Sequence, residues 1–278
     1  MKNILLILLP LLIVMAWSCN DDSTPNLVED GVIQLLESDS VALCHISQSF
    51  KTESTDYPYP WSVSDRSSWK GSIELDTIFD FEIDRKVLVV SALTLYIPEP
   101  GQQEVMTNWI SELEHVKSFK LYACPGAIVN GGCVPTGCDS VLIDKINPDS
   151  QGYINVVPDG IWYVTGMSPD RWLFSKLTIH GTDMQYISAI LKYDAIVDLS
   201  NNQLKDDVGV MFENLLYTAN LSHNQFTGFD YGWEAWYNRT IPNLQYNEIQ
   251  IPEEMLGTDF WRENHELFIG NPGYQAPK

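Results

Sequence analysis

The sequence predicts an α/β solenoid, in which short strands of successive coils stack into a parallel β-sheet on a concave face and the convex side is irregular, 3-10 or helical. Segments centred on Leu199, Leu221 and Leu244 each fit the pattern L-x-L-x-x-N-x-L with minor substitutions. These leucines are 22 and 23 residues apart, a period typical of coils that each contribute one short strand. Hydrophobic residues make up 45% of the chain and charged residues 19%, which excludes a disordered chain or a coiled coil.

Weaker copies of the pattern extend the predicted array in both directions. Towards the N-terminus they are Leu177–Met184, Ile154–Ile161, Phe119–Cys124 and a first strand within Lys86–Leu93. Beyond the clear repeats, Leu267–Tyr274 has the pattern of a degenerate terminal coil. We therefore expect about six stacked coils, each of which buries its apolar strand face only against its neighbours.

The asparagine of each repeat has a predicted structural role. The chain turns away from the sheet after each strand and leaves backbone groups unpaired, and burying one of these costs about 1–3 kcal/mol. A side-chain amide at the turn can satisfy the groups of the neighbouring coil. The predicted ladder consists of Asn202, Asn224 and Asn247, with Cys124 in the same slot and with Thr182 and Asp159 as poorer fits.

The side chains that alternate with the inward leucines are predicted to form a binding surface on the concave face. Tyrosines beside amides and hydroxyls suit a protein or glycan partner, although each residue taken alone could simply be solvated. The predicted ligand-binding residues are Tyr122, Tyr153, Asn155, Lys176, Thr178, His180, Asp198, Ser200, Tyr217, Asn220, Ser222, Asn243, Gln245 and Tyr246, with Lys117 and Lys120 on the same face and His223 at the turn edge. Trp233 and Trp236 form a second candidate patch, for which core packing is the alternative.

Composition and motifs argue against two other functions. The formal net charge of −21 repels phosphate backbones, so a nucleic-acid partner is not expected. The sequence has no H-E-x-x-H, G-x-S-x-G, Walker or G-x-G-x-x-G motif, and its 5 histidines have no metal-ligand spacing. We predict no catalytic residue, metal or cofactor, and hence a binding protein rather than an enzyme.

The N-terminus resembles a bacterial lipoprotein signal. The apolar run from Ile4 to Trp17 is too short for the roughly 20 residues of a membrane-spanning helix. It ends in Ala16-Trp17-Ser18-Cys19, which resembles a lipobox, and the following Asn20-Asp21-Asp22 resembles the export signal of Bacteroidetes surface lipoproteins. The resemblance implies a signal peptide over 1–18, lipidation of Cys19 and anchoring at the outer membrane or cell surface. An ordinary secretory signal is the alternative.

The repeats most resemble plant-type leucine-rich repeats, in which Asn224-Gln-Phe226-Thr-Gly228 matches the N-x-L-x-G step. Their N-terminal cap is matched in outline by a helical pattern from Asp39, with Leu43, Ile46 and Phe50 on one face, followed by Trp61 and Trp69. A regular G-x-I-P continuation is missing. The resemblance implies a tether over 19–30, a cap over 31–85 and a leucine-rich-repeat domain with a C-terminal cap over 86–278.

An exported protein is expected in an oxidising compartment, where its remaining cysteines can form disulfides. The spacing C-x8-C-x4-C of Cys124, Cys133 and Cys138 does not match the close pairs of zinc sites. We expect one disulfide within this stretch and a free, buried Cys44, while the pairing stays open.

The function predicted overall is binding of a protein partner through the concave face. The alternative is glycan capture in a polysaccharide-utilisation system.

Overall fold

The computed structural model describes residues 33–49, 65–69, 71–100, 109–110, 112–129, 134–135, 138–156, 174–185, 191–208, 219–229, 232–236 and 240–277. The predicted signal, tether and lipidation site at Cys19 lie outside these residues, as do Phe50, Trp61, Cys133, Asp159 and Tyr217. The strands are β1 Ile73–Asp80, β2 Arg85–Ile97, β3 Ser118–Ala123, β4 Ile128–Val129, β5 Ser140–Lys145, β6 Asn155–Val156, β7 Phe174–Ile179, β8 Leu191–Asp198, β9 Lys205–Val208, β10 Ala219–Asn220 and β11 Gln225–Phe229. The helices are α1 Glu37–Ser49 and α2 Asp259–Asn264, with 3-10 turns η1 Arg66–Trp69, η2 Trp233–Trp236 and η3 His265–Phe268.

The main sheet has seven strands in the order β1-β2-β3-β5-β7-β8-β10, and every pairing from β2 onwards is parallel. A bridge between Asn220 and Asn243 extends the same stacking by one coil. Parallel neighbours require a crossover for each strand, which here is the remainder of each coil. The prediction of a solenoid is confirmed, although the described residues contain little helix.

The core of the solenoid is made by the inward side chains of the main sheet. Leu95, Leu121, Ile143 and Ile179 occupy one register column and are all fully buried. A second inward column lies two residues earlier along each strand. It contains Leu93, Phe119, Val141, Leu177 and Val197, each at most 1% exposed. Alternation along the strands therefore turns the intervening residues outwards onto the concave face.

The N-terminal end is closed by α1 and by the antiparallel hairpin of β1 and β2. The buried face of α1 contains Ala42, Leu43 and Ile46, in agreement with the predicted apolar face. Asp39 Oδ2 accepts a 2.7 Å hydrogen bond from Val90 N and so ties α1 to β2, and burial raises the pKa of this carboxyl. The hairpin joins β1, in the predicted cap, to β2, which begins at the predicted boundary.

Two short parallel sheets lie away from the main sheet. One pairs β4 with β6, and the other pairs β11 with β9. The prediction that 154–161 supplies a strand of the main sheet is wrong, because β5 occupies that position and β6 pairs with β4 instead. The apolar alternation of Val141 and Ile143 is the sequence signal for β5, but this segment carries Ile146 where the three clear repeats have asparagine.

The C-terminal end is covered by α2 and η3. Thr258 caps α2, since its side chain accepts a hydrogen bond from Trp261 N. Trp261 is 2% exposed, packs against Phe268 and donates its indole N–H to Gln275 O at 3.0 Å. Trp233 packs against Phe260, as the core alternative for this tryptophan expected.

Cys124 and Cys138 form no disulfide, and the Cys44 Sγ accepts a hydrogen bond from Gln48 Nε2 at 3.4 Å. The expected disulfide within the stretch from Cys124 to Cys138 is therefore not formed by either of these two residues, and Cys133 lies outside the described residues. Cys138 is buried, its Sγ lies 3.1 Å from Ser140 O, and burial raises the pKa of the thiol to about 12. None of the helices in the described ranges is long and apolar enough to cross a membrane.

Candidate functional site

The outward side chains of the main sheet form three columns on the concave face. The register places Ala92, Ser118, Ser140, Lys176 and Ile196 in column one. Column two contains Thr94, Lys120, Leu142, Thr178, Asp198, Asn220 and Asn243. Column three begins with Tyr96, Tyr122 and Asp144 and continues through His180, Ser200, Ser222 and Gln245. Most of the predicted ligand-binding residues are thereby brought to one surface.

Two predicted residues do not belong to this surface. Tyr153 and Asn155 lie beside and within β6, which pairs with β4, so their placement on the main sheet is wrong. Sequence reasoning also missed eight residues of these columns, namely Ala92, Thr94, Tyr96, Ser118, Ser140, Leu142, Asp144 and Ile196. The outward positions of β2 and β5 were not identified because the register of β2 was open and β5 was not recognised.

Several polar side chains of the face in the C-terminal coils accept hydrogen bonds from backbone N–H groups two residues later. Asp198 Oδ1 accepts from Ser200 N at 3.1 Å, Asn220 Oδ1 from Ser222 N at 3.2 Å, and Asn243 Oδ1 from Gln245 N at 3.1 Å. Ser200 and Ser222 are only 4% and 6% exposed. These side chains end the strands by satisfying the N–H two residues later, and the two serines are too buried to contact a ligand directly.

His180 lies between two carboxylates on neighbouring strands. Its Nδ1 is 3.2 Å from Asp144 Oδ2, and its Nε2 is 3.2 Å from Asp198 Oδ1. The second contact is at ion-pair distance but is not an aligned hydrogen bond. The histidine thus connects β5 to β8 across β7 on the concave face.

The electrostatics of this cluster keep His180 charged. Burial opposes the imidazolium, but the hydrogen bond with Asp144 and the interactions with Asp198 outweigh it and raise the pKa of His180 to about 9. Burial likewise opposes the Asp198 carboxylate, yet His180 and Ser200 lower the pKa of that group to about 2. Ser200 Oγ donates to Asp198 and not to His180, so the cluster is not a nucleophile-and-base pair. An imidazole whose pKa is about 9 is mostly protonated near neutral pH and is then a poor general base.

Two tyrosines continue the same column towards the N-terminal end. The rings of Tyr96 and Tyr122 stack with centroids 5.4 Å apart and an interplanar angle of 18°. Burial, followed by Tyr96 and Asp144, raises the pKa of the Tyr122 hydroxyl. This end of the face therefore combines a fixed aromatic pair with neighbouring charged groups, an arrangement that suits recognition.

The asparagines behind the face form a hydrogen-bonded ladder. Asn224 Nδ2 donates to Leu199 O and Leu221 O at 2.9 and 3.1 Å, while its Oδ1 accepts from Leu204 N at 3.1 Å. Asn202 and Asn247 repeat this pattern one coil earlier and one coil later. Each rung joins two coils through buried backbone groups, which is the structural role predicted for these residues.

The ladder has one rung more than the sequence analysis identified. Asn271 donates to Leu244 O at 2.8 Å and accepts from Ile249 N at 3.0 Å. Its signal was present in the degenerate terminal copy but was obscured by the following Pro272 and Gly273. Thr182 bonds to Asn202 Oδ1 through its hydroxyl at 2.7 Å. Cys124 stands at the equivalent turn and is half-buried.

A row of left-handed residues runs along the edge of the turns. Asn201, His223 and Tyr246 have φ values of 59°, 54° and 55°, and Gly181 and Gly270 occupy the same position in the flanking coils. The rings of His223 and Tyr246 stack at 4.5 Å, and Tyr246 is 49% exposed. A left-handed conformation costs a non-glycine residue roughly 1–2 kcal/mol, so the stack is held at a cost in backbone energy.

The candidate site is a surface, and the described part of the chain contains no cluster of side chains that could hold a metal ion. A shallow pocket of about 170 Å³ lies at its N-terminal edge, between Asp76, His115 and Lys117.

No protein-family model, no curated protein and no solved structure matches the chain. The geometry of the concave face is therefore the basis for the function proposed below.

Proposed function

We propose that this chain binds a protein partner through the concave face of its solenoid. The observation that carries the proposal is Ile196, an aliphatic side chain that is 55% exposed in column one of the face, on β8. Leu142 lies half-buried on β5, and the Tyr96–Tyr122 stack lies farther along the face. Exposed aliphatic and aromatic groups among hydrogen-bonding side chains are the usual composition of a protein-binding surface.

The rigidity of the sheet supports the same function. Parallel pairing across β2, β3, β5, β7 and β8 fixes the positions of the outward side chains before any partner arrives. Preorganised contacts lose less conformational entropy on binding than flexible ones. The charged His180 cluster adds orientation without providing a reactive nucleophile, so binding rather than catalysis is proposed.

Site-specific photocrosslinking tests this function. A photoreactive phenylalanine analogue at position 196 is expected to crosslink one defined protein from the native environment. The same analogue at position 81 is the matched control, because Phe81 is 87% exposed but lies at the β1–β2 turn, away from the face. Equal crosslinking of the same protein from both positions, or none from position 196, would contradict the proposal.

Glycan binding is the second candidate, and the exposed His223–Tyr246 stack favours it. Sugar rings pack on aromatic faces beside amides, and Asn201 lies in the same row. Affinity electrophoresis through polysaccharide-containing gels is the test, with the Tyr246→Ala variant compared with the natural chain. Retardation that depends on Tyr246 would support glycan binding at the turn edge, and unretarded migration on every gel would exclude the polysaccharides tested.

We also propose that the solenoid is a leucine-rich-repeat protein of the plant type, carried at the bacterial cell surface by lipid on Cys19. The asparagine ladder and the register of the inward leucines support the family assignment. The lipobox-like sequence before Cys19 supports the anchor. Metabolic labelling with an alkyne fatty acid is expected to mark the natural chain and not the Cys19→Ala variant.

A further inference from the structure

Basic side chains are scarce in this acidic chain, and three of them lie on or beside β3 and β7 of the concave face. The protein has 16 lysines and arginines against 37 acidic residues. Lys117 directly precedes β3, Lys120 points outward from β3, and Lys176 points outward from β7. Since adjacent strands are about 4.8 Å apart, Lys120 and Lys176 flank β5 at a strand separation of about 10 Å.

Within the described residues, the lysines of the two strands have no ion-pair partner. Lys120 and Lys176 are both exposed. Two carboxylates of the face, Asp144 and Asp198, are both engaged by His180. Lys117 lies 3.9 Å from Asp76, but both side chains are more than half exposed, so this pair is weak.

Hydroxyl groups lie between the lysines. The register aligns Ser118 with Ser140 and Ser140 with Lys176, so column one contains two hydroxyls and one ammonium group. Column two places Lys120 beside Leu142. Ammonium groups arranged around hydroxyl donors fit a carboxylate, while the apolar Leu142 fits the aliphatic part of an acidic side chain.

We propose that this lysine patch, made of Lys120, Lys176, Ser118 and Ser140, binds the carboxylates of an acidic segment in the protein partner. The inference rests on the proposed function and names the chemistry of the partner on the same face. The negative charge of the rest of the molecule limits where an acidic segment can bind. An acidic segment is repelled by most of this surface and is attracted here, which fixes its position on the face.

Calorimetric titration with hexaglutamate at low ionic strength tests the lysine patch. The peptide is expected to bind the natural protein, and to bind the double variant Lys120→Gln/Lys176→Gln about fivefold more weakly, as two exposed charge pairs would give. The matched control is Arg85→Gln/Lys86→Gln, which removes the same charge at the exposed start of β2. Its affinity is expected to stay within about twofold of the natural protein.

Three outcomes would overturn the inference. They are failure of hexaglutamate to bind, equal weakening by both double variants, and binding of dextran sulfate in place of hexaglutamate, which would assign the patch to anionic polysaccharide. Crosslinking from position 196 is the separate readout of the proposed function. If that partner still binds the Lys120→Gln/Lys176→Gln protein with unchanged affinity, the lysine patch is not part of the interface although the concave face is.

Discussion

The two ends of the solenoid solve the same problem of coil stacking in different ways. In the C-terminal coils, over 199–271, buried asparagines join each turn to the next and the strand of the sheet shortens to the two residues of β10. In the N-terminal coils, formed by β2, β3 and β5, the turns carry Cys124 and Ile146 and the strands have 13, 6 and 6 residues. In these N-terminal coils, backbone pairing between longer strands takes the place of the asparagine hydrogen bonds that join the C-terminal coils.

This difference determines which side chains are available for binding. The C-terminal coils use Asp198, Asn220 and Asn243 on their own backbone, and they bury Ser200 and Ser222. The longer strands of the N-terminal coils satisfy most of their backbone groups by strand pairing, although Asp144 accepts a hydrogen bond from Lys145 N. Tyr96, Tyr122, Lys120 and Leu142 occupy outward positions there. The ladder therefore holds the C-terminal coils together, whereas the Tyr96–Tyr122 stack and Lys120 lie on coils without a ladder.

Removal of a ladder rung should have the largest effect on stability. Asn224→Ala abolishes hydrogen bonds to Leu199 O, Leu221 O and Leu204 N, and each buried group left unpaired costs about 1–3 kcal/mol. We expect the free energy of unfolding to fall by about 3 kcal/mol, measured by urea denaturation.

Asn201→Gly is the control for the ladder prediction. Asn201 belongs to the same turn as the rung Asn202 but is exposed, and glycine readily adopts its φ of 59°. This variant should change stability by less than about 0.5 kcal/mol. An unchanged midpoint for Asn224→Ala would show that the ladder does not hold the coils together.

The second effect tests the junction between the two regions, where His180 bridges β5 and β8. Because the folded pKa of His180 is raised from 6.5 to about 9, its stabilisation is complete below pH 6.5 and is lost as the pH rises through 9. We expect the free energy of unfolding to fall by about 2–3 kcal/mol across this window, and the fall to be absent in His180→Gln. Parallel pH profiles for the two proteins would refute the bridge.

Parts of this comparison could be predicted from the sequence because they repeat. Asn202, Asn224 and Asn247 occupy identical positions in similar strings, so one physical argument applies to all of them. The inward leucines follow from the same alternation. Leu43 and Ile46 could be placed on the buried face of α1 because helical spacing depends on local sequence alone.

The parts that escaped prediction depend on contacts between coils. The bridge from Asp144 through His180 to Asp198 requires the register of β5 against β7, and β5 carries Ile146 where the ladder would have an asparagine. The segment 154–161 matched the pattern better than β5 did, although β6 pairs elsewhere. A pattern read along one chain segment does not identify its neighbour in the sheet.

A smaller effect is expected at the turn edge of the C-terminal coils. A Cβ added at Gly270 would collide with the Tyr246 ring, whereas one added at Gly71 meets no atom within 4 Å, and both positions have positive φ. Both alanine variants incur the left-handed penalty, but only Gly270→Ala also displaces the ring from His223. Its unfolding free energy should fall by about 1 kcal/mol more than that of Gly71→Ala, the value of one ring stack. Equal losses would mean that the stack contributes nothing.

The smallest effect is expected on the lysine patch, which spans β3 and β7, and it is the one that separates recognition from stability. Lys120 and Lys176 are exposed and form no ion pair within the described residues, so glutamine at both positions removes no contact of the fold. The free energy of unfolding should change by less than about 0.5 kcal/mol in urea denaturation. A clear gain in stability would indicate that these ammonium groups repel one another, as expected of charges held together for a ligand. A loss above 1 kcal/mol would show that they support the sheet, and weaker binding by the variant would then reflect the fold rather than the face.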